Sequence, residues 1–259
     1  MKLLSMVVCC IAITCSTAYS QGYNWEWSPR LPLAMPIRYV GVEVSAGFAL
    51  HKADLLYSEQ YLPCCTLSKG TGVPVATMLY AEEWTKPWLA FTVSAGISYQ
   101  SVNLSAPGDT LPQIGPDDVV RTVVTEWQLQ TSMTYISLAT GARARLFGSH
   151  ATVGFQLRGN LSAGSSNAVL SEHILQPSDY FFNVQGRQVK ERTVDSTNFG
   201  QRSSFYLEPT FSIQYDVPLT IGYVLTPLVQ VAMPLTSLST ASDWRYYSLM
   251  LGVRLSKGL

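Results

Sequence analysis

WLAFTVSAGISYQ, residues Trp88 to Gln100, repeats with a period of two. Leu89, Phe91, Val93, Ala95, Ile97 and Tyr99 fall on one face, and Ala90, Thr92, Ser94, Gly96, Ser98 and Gln100 on the other. That period belongs to a β-strand, whose side chains point alternately to opposite sides of the sheet. A half-buried strand of a water-soluble protein turns a polar, often charged face to water. Here the polar face is small and uncharged. The stretch therefore asks which of its faces meets the solvent, and what that solvent is.

The pattern recurs along the chain. Residues 40–50 set Val40, Val42, Val44, Ala46, Phe48 and Leu50 against Gly41, Glu43, Ser45, Gly47 and Ala49. Similar alternation marks 151–162, 205–216, 221–233 and 246–256, and weaker alternation 73–83. In 121–146 the apolar phase slips, from Val123, Trp127, Leu129, Met133 and Tyr135 to Ile136, Leu138, Ala142, Ala144 and Leu146. A bulge near Ser137 or a kink at Gly141 would restore the register. Pro209 and Pro227 fall inside strands and predict local bulges too, since proline removes a ladder donor. Eight strands result. Short turns at 84–87, 147–150 and 216–219 alternate with longer connections at about 51–72, 105–120, 164–203 and 236–243.

Short turns at one end and long loops at the other suit an eight-stranded antiparallel up-and-down transmembrane β-barrel, with apolar residues facing lipid and small polar ones facing the lumen. Eleven residues from Leu89 to Tyr99, tilted about 45°, span about 25 Å, the height of such a belt. Aromatic girdles are expected from Trp84, Trp88, Tyr215 and Tyr223 near the short turns, and from Tyr99, Trp244 and Tyr247 near the long loops. Glu43, Arg158, Glu208 and Arg254 lie on polar faces, with Arg143 or Arg145 beside them. Eight strands leave room only for side chains to fill, so these charges are expected to pair in a network. A proton or ion path is the alternative. A soluble lipocalin-like ligand carrier would reverse the faces, but its exterior would then be Gly, Ser, Thr and Gln with little charge.

The chain opens MKLLSMVVCCIAITCSTAYSQG. Lys2, an apolar run over 3–14 and Ala18-Tyr19-Ser20 read as a signal peptide over 1–20. Residues 21–38, with Pro29, Pro32 and Pro36, form a periplasmic segment, and 39–259 the barrel. Charged residues are 13% of the chain, with 17 basic against 17 acidic, which argues against a nucleic-acid partner. Cys64 and Cys65 remain after cleavage. Outside the inner membrane they could close a strained vicinal disulfide, pair with another chain, or stay thiols.

The mature chain resembles the outer-membrane β-barrel family that includes PorT-type proteins of diderm bacteria. The resemblance rests on YVGVEVSAGFALHKAD (39–54), on PCC (63–65) and KGTGV (69–73) in the loop after it, and on the terminal strand YYSLMLGVRLS (246–256). It implies an outer-membrane location and the barrel fold.

No nucleophile motif, metal-ligand spacing or cofactor fingerprint stands in the sequence, so no catalytic residue, metal or cofactor is assigned. His51 with Asp54, and His173 with Glu172, are the nearest to a lipid hydrolase or acyltransferase set. The expected protein is a monomer contacting outer-membrane lipid. It is non-enzymatic, with a role in membrane integrity, surface binding or support of secretion, and a small-solute porin is a further alternative. Residues 164–203 are the expected surface for an extracellular or secretion-machine partner. Within them 167–176 suggests a short helix and 185–195 a polar hairpin.

Overall fold

The computed structural model describes residues 37–259 apart from 60–61, 115–118, 147–148, 165, 199–201 and 221, and leaves out some strand side chains, among them those of 56–65. The expected signal peptide and most of the expected 21–38 segment thus lie outside the described residues.

The alternating stretches form β1 (Arg38–Glu59), β2 (Leu62–Lys86), β3 (Leu89–Ile114), β4 (Val120–Arg145), β5 (Ala151–Ala163), β6 (Asn167–Gln176), β7 (Phe182–Val184), β8 (Arg187–Val189), β9 (Glu191–Asn198), β10 (Phe205–Tyr215), β11 (Val217–Thr220), β12 (Tyr223–Ala232) and β13 (Trp244–Gly258). All pairings are antiparallel. The order β3-β2-β1-β13-β12-β10-β5-β4 closes through β3 with β4. The result is an eight-stranded up-and-down barrel with no free edge around the ring, as a lipid solvent demands.

Its exterior is apolar. Val40, Val42, Val44, Phe48 and Leu50 of β1, Phe91, Val93, Ile97 and Tyr99 of β3, and Leu249, Leu251, Val253 and Leu255 of β13 are all exposed. Between Val40 and Leu50, Leu89 and Tyr99, and Tyr247 and Leu255, no outward position carries a charge. At roughly 25 cal/mol per Å² of apolar surface such a belt is untenable in water, and lipid removes the cost. The face that decided the question, Leu89 to Tyr99, points out.

The phase slip in β4 is not a change of register. β3 and β4 pair without a shift from Leu89↔Ala144 to Pro107↔Glu126. Odd residues of β4 face inward along that length and beyond it, first Val123, Trp127, Leu129, Met133 and Tyr135, then Ser137, Ala139 and Arg143. What changes is the medium outside. Below Ile136 the wall faces lipid and the interior is polar. Above it the wall rises into water, so the interior becomes apolar and Gln130, Ser132 and Thr134 face out. The same inversion falls after Tyr99 in β3, where Val102, Leu104 and Ala106 turn inward, and after Leu50 in β1, where Ala53 and Leu55 do. No bulge occurs at Ser137 or Gly141.

The prolines need no bulge either. Pro209 pairs with Leu157, and Pro227 with Val253, in unbroken register. On the other side of β12, the ladder to β10 stops at Gln214↔Leu228 and resumes in β11 at Val217↔Leu225. Pro227 faces that gap, where no donor is required.

The expected long loops are largely strand. β1–β2 and β3–β4 run on as hairpins to Glu59/Leu62 and Ile114/Val120. β6 continues β5 along β4, after a break at Gly164 (φ 74°), so 167–176 is strand and not helix. β9 returns along β6 and leads into β10. The polar hairpin expected over 185–195 lies earlier, as β7–β8 turning at Gln185-Gly186, while 191–195 belong to β9. Residues 167–198 are therefore an arm that prolongs the barrel wall.

Candidate functional site

The interior is built in three storeys. Lowest is a charge network. Arg254 of β13, 2% exposed, gives Nη2 and Nε to Glu43 Oε2 of β1 at 2.6 and 3.1 Å, and Nη1 to Gln214 Oε1 at 3.2 Å. The two strands pair at that rung, Glu43 opposite Arg254, which fixes the contact from the backbone. The guanidinium also lies 4.3 Å from the centre of the Tyr80 ring. That ring covers Gly41, its cross-strand partner, where a Cβ would sit 2.8 Å from the ring and 2.1 Å from the Leu255 carbonyl. Arg143 of β4 bridges Glu82, at 3.0 and 3.1 Å, and Asp216, and its Nε donates to Thr152 Oγ1 at 2.9 Å. Thr226 Oγ1 donates to Asp216 at 2.7 Å. Arg254 Nη1 approaches Glu82 to 3.7 Å, joining the two clusters.

The middle storey holds Arg158, whose Nη1 is 3.4 Å from Glu208, its cross-strand partner. The Tyr246 hydroxyl also donates to Glu208. Beside them a cavity of about 20 Å³, lined by Gln100, Arg158, Asn160 and Tyr206 among others, is about water-sized. His51 bridges to the storey above. Trp244 Nε1 donates to His51 Nδ1 at 3.1 Å. The neutral ring then carries its proton on Nε2, which lies 3.3 Å from the Gln100 amide. Turned so that its oxygen faces the ring, the amide accepts that proton, and Gln100 Oε1, otherwise unpaired, gains a partner.

The top storey is an apolar plug: Leu55, Leu67, Leu104, Leu129, Met133, Leu170, Leu238 and Trp244, with their neighbours, form one buried cluster. It closes the lumen above the charges.

The structure thus brings Glu43 together with Arg254, and Arg158 with Glu208. Arg143 joins them, while half-buried Arg145 lies 4.5 Å from the Trp84 ring. Glu82 and Asp216 were not singled out from sequence. The parity of Ala76, Met78 and Tyr80 was the available signal for Glu82. Asp216 had the parity of Gln214 but reads as a turn residue.

Two girdle expectations are corrected. Trp244 is 0% exposed, because even residues of β13 face inward. Trp84 shares the inward parity of Tyr80 and Glu82 and lies in the barrel mouth beside Arg143 and Arg145. Tyr99, Tyr223 and Tyr247 are exposed on the outside, Trp88 is exposed in the β2–β3 turn, and Tyr215 is half-buried. The backbone of Cys64 and Cys65 belongs to β2, with Cys65 opposite Tyr57; their side chains lie outside those described.

Among the described residues His173 stands in no relay. Ser171 Oγ and Glu191 Oε1 both approach the same His173 nitrogen, Nε2, at 3.5 and 3.2 Å. A nucleophile–base–acid chain needs them on opposite nitrogens. Glu172 is held by Arg192 at 2.7 Å. Among the described residues no cluster of three metal-ligating side chains occurs.

No family model and no curated protein matches the chain. Among solved structures it is similar to Ail, the attachment invasion locus protein of Yersinia pestis, in complex with a heparin analogue (10% identity, 85% of this chain and 98% of that one, TM-score 0.34). It is similar to Neisserial surface protein A (12%, 86% and 97%, 0.35) and to the outer membrane protein AlkL in lipid bilayers (10%, 92% and 96%, 0.37). Likenesses of this size assign no activity.

Proposed function

We propose that the chain is a bacterial outer-membrane barrel with a non-enzymatic surface-binding role, its filled lumen serving as scaffold and its arm over 167–198 as the working surface. The observation that carries this is the pairing of a sealed interior with a wall that continues beyond the lipid belt. Seven buried charged side chains, Glu43, Glu82, Arg143, Arg158, Glu208, Asp216 and Arg254, fill the lower and middle storeys of the lumen, and the plug caps them. That arrangement opposes a porin, which needs a wet path. The arm's tip exposes Phe181 and Val184, with Lys190 5.2 Å from the Phe181 ring and Arg192 4.7 Å from Phe182. Aromatic residues and arginine are enriched where proteins bind proteins. A PorT-like contribution to secretion is a special case, with a secretion component as the partner.

The test pairs two assays on folded protein. The sealed scaffold predicts no single-channel conductance in a planar bilayer. The binding role predicts that cells displaying the protein adhere to a partner surface, and that replacing 178–191 by a short turn abolishes adhesion while leaving heat-modifiable gel migration intact. Conductance, or adhesion unaffected by the shortened arm, would overturn the proposal.

A further inference from the structure

The outward face just above the lipid belt carries a cationic row. Lys52 of β1 pairs directly with Lys69 of β2 on one side and Arg245 of β13 on the other. All three have outward parity and are exposed. Lys52 and Arg245 stand two residues beyond the last belt residues, Leu50 and Tyr247, and Lys69 four beyond Val73. On strands tilted about 45° these steps raise them about 5 to 9 Å above the hydrocarbon, the depth of the headgroups.

Like charges directly opposite across strands repel, so the row calls for anions. Among the described residues, β1 and its neighbour β13 lead to Asp54 and Asp243, each two residues further from the lipid than Lys52 and Arg245. Asp243 takes Arg245, at 2.9 Å. Neither lysine has an ion pair among the described residues. The row does not continue into β3 and β4. On the same rung β3 and β4 present Ser105 and Gln128, both neutral. Neighbouring strands lie about 4.8 Å apart, so the flexible lysine stems can converge on one phosphate from the membrane side.

We infer that Lys52 and Lys69, flanked by Arg245, form a binding site on the outside of the barrel for the phosphate of an outer-leaflet lipid headgroup. The inference rests on the outer-membrane reading, with the long hairpins outward. Charge complementarity and depth select this occupant. A protein partner would have to reach into the headgroup layer.

The experiment folds the full chain into phosphatidylcholine vesicles doped with equal amounts of diphosphoryl lipid A and its dephosphorylated form. The protein is then extracted in mild detergent, and the retained lipid is read by mass spectrometry. Heat-modifiable migration of the same sample reports whether the barrel formed. Wild type is expected to enrich the phosphorylated lipid about tenfold. Lys52→Gln with Lys69→Gln should lose that preference, and Lys257→Gln, at the opposite end of β13, should keep it. Equal retention by a folded wild type, or a preference that survives the double variant, overturns the site alone. Inorganic phosphate displacing the lipid at equal concentration overturns the lipid as its occupant. A chain that never forms a barrel overturns the membrane reading and the site with it.

Discussion

Replacing Arg254 by methionine should be among the most damaging single changes in the lumen. The guanidinium is 2% exposed and holds Glu43 through two contacts, of 2.6 and 3.1 Å. It also meets Gln214 at 3.2 Å and the face of Tyr80 at 4.3 Å. Methionine fills much of the volume but leaves the Glu43 carboxylate buried and unpaired. Orphaning one partner of a buried pair costs about 3–5 kcal/mol, and the lower bound corresponds to a change of more than 100-fold in the unfolding equilibrium. Replacing Glu43 by glutamine as well removes the orphaned charge, so the double variant should regain at least half of the loss. The assay is reversible urea unfolding in lipid vesicles, followed by tryptophan fluorescence, for wild type, both single variants and the double. A single-variant loss below about 1 kcal/mol, or strictly additive losses, would refute the reasoning. Either would mean that water in the lumen already screens the pair.

Three further outcomes follow from the same geometry. Val93→Arg, in mid-belt, should cost about 2–4 kcal/mol in vesicle unfolding, whereas Ser101→Arg, outward but above the belt, should be close to neutral. Leu129→Ala, in the plug, should cost about 2–5 kcal/mol while the variant still inserts, because the cavity opens above the lipid. Glu208→Gln should weaken the barrel by stranding Arg158, and Arg158→Met in that background should recover most of the loss; unfolding midpoints decide both.

Much of the wall was legible because period-two alternation survives wherever one face is uniform. Leu89–Tyr99 and Val40–Leu50 gave strand, orientation and belt height together. The errors cluster where the medium changes. At Tyr135 and Ile136 the apolar phase reversed because lipid gave way to water outside. A rule that tracks apolar residues alone reads this as a bulge. Trp244 stands close enough to the boundary to suggest a girdle, but its even position in β13 points it inward. In β6, Leu170, Ser171 and Glu172 are all buried, beside a register shift in the pairing with β9 that places the extra residue in β9. The sequence of β6 shows no clean polar face, and Val169, Leu170, His173 and Ile174 mimic helical spacing. Of the charge network, Glu43, Arg158, Glu208 and Arg254 were visible because each lies mid-strand on a clean polar face. Glu82 sits in the weakly alternating β2, and Asp216 at the β10–β11 break, so neither stood out.

The central claim is that one continuous wall reverses its faces at the lipid boundary. The most direct test scans nitroxide labels, one position at a time, along residues 89–106 of β3, in vesicles and with Cys64 and Cys65 replaced by serine. The account predicts oxygen accessibility at odd positions up to Tyr99, low accessibility to both oxygen and a water-soluble relaxing agent at even positions throughout, and access by the water-soluble agent at Ser101, Asn103 and Ser105. Water-soluble access at Thr92, Ser94 and Ser98, with Phe91, Val93 and Ile97 shielded from both agents, would contradict it and turn the barrel inside out.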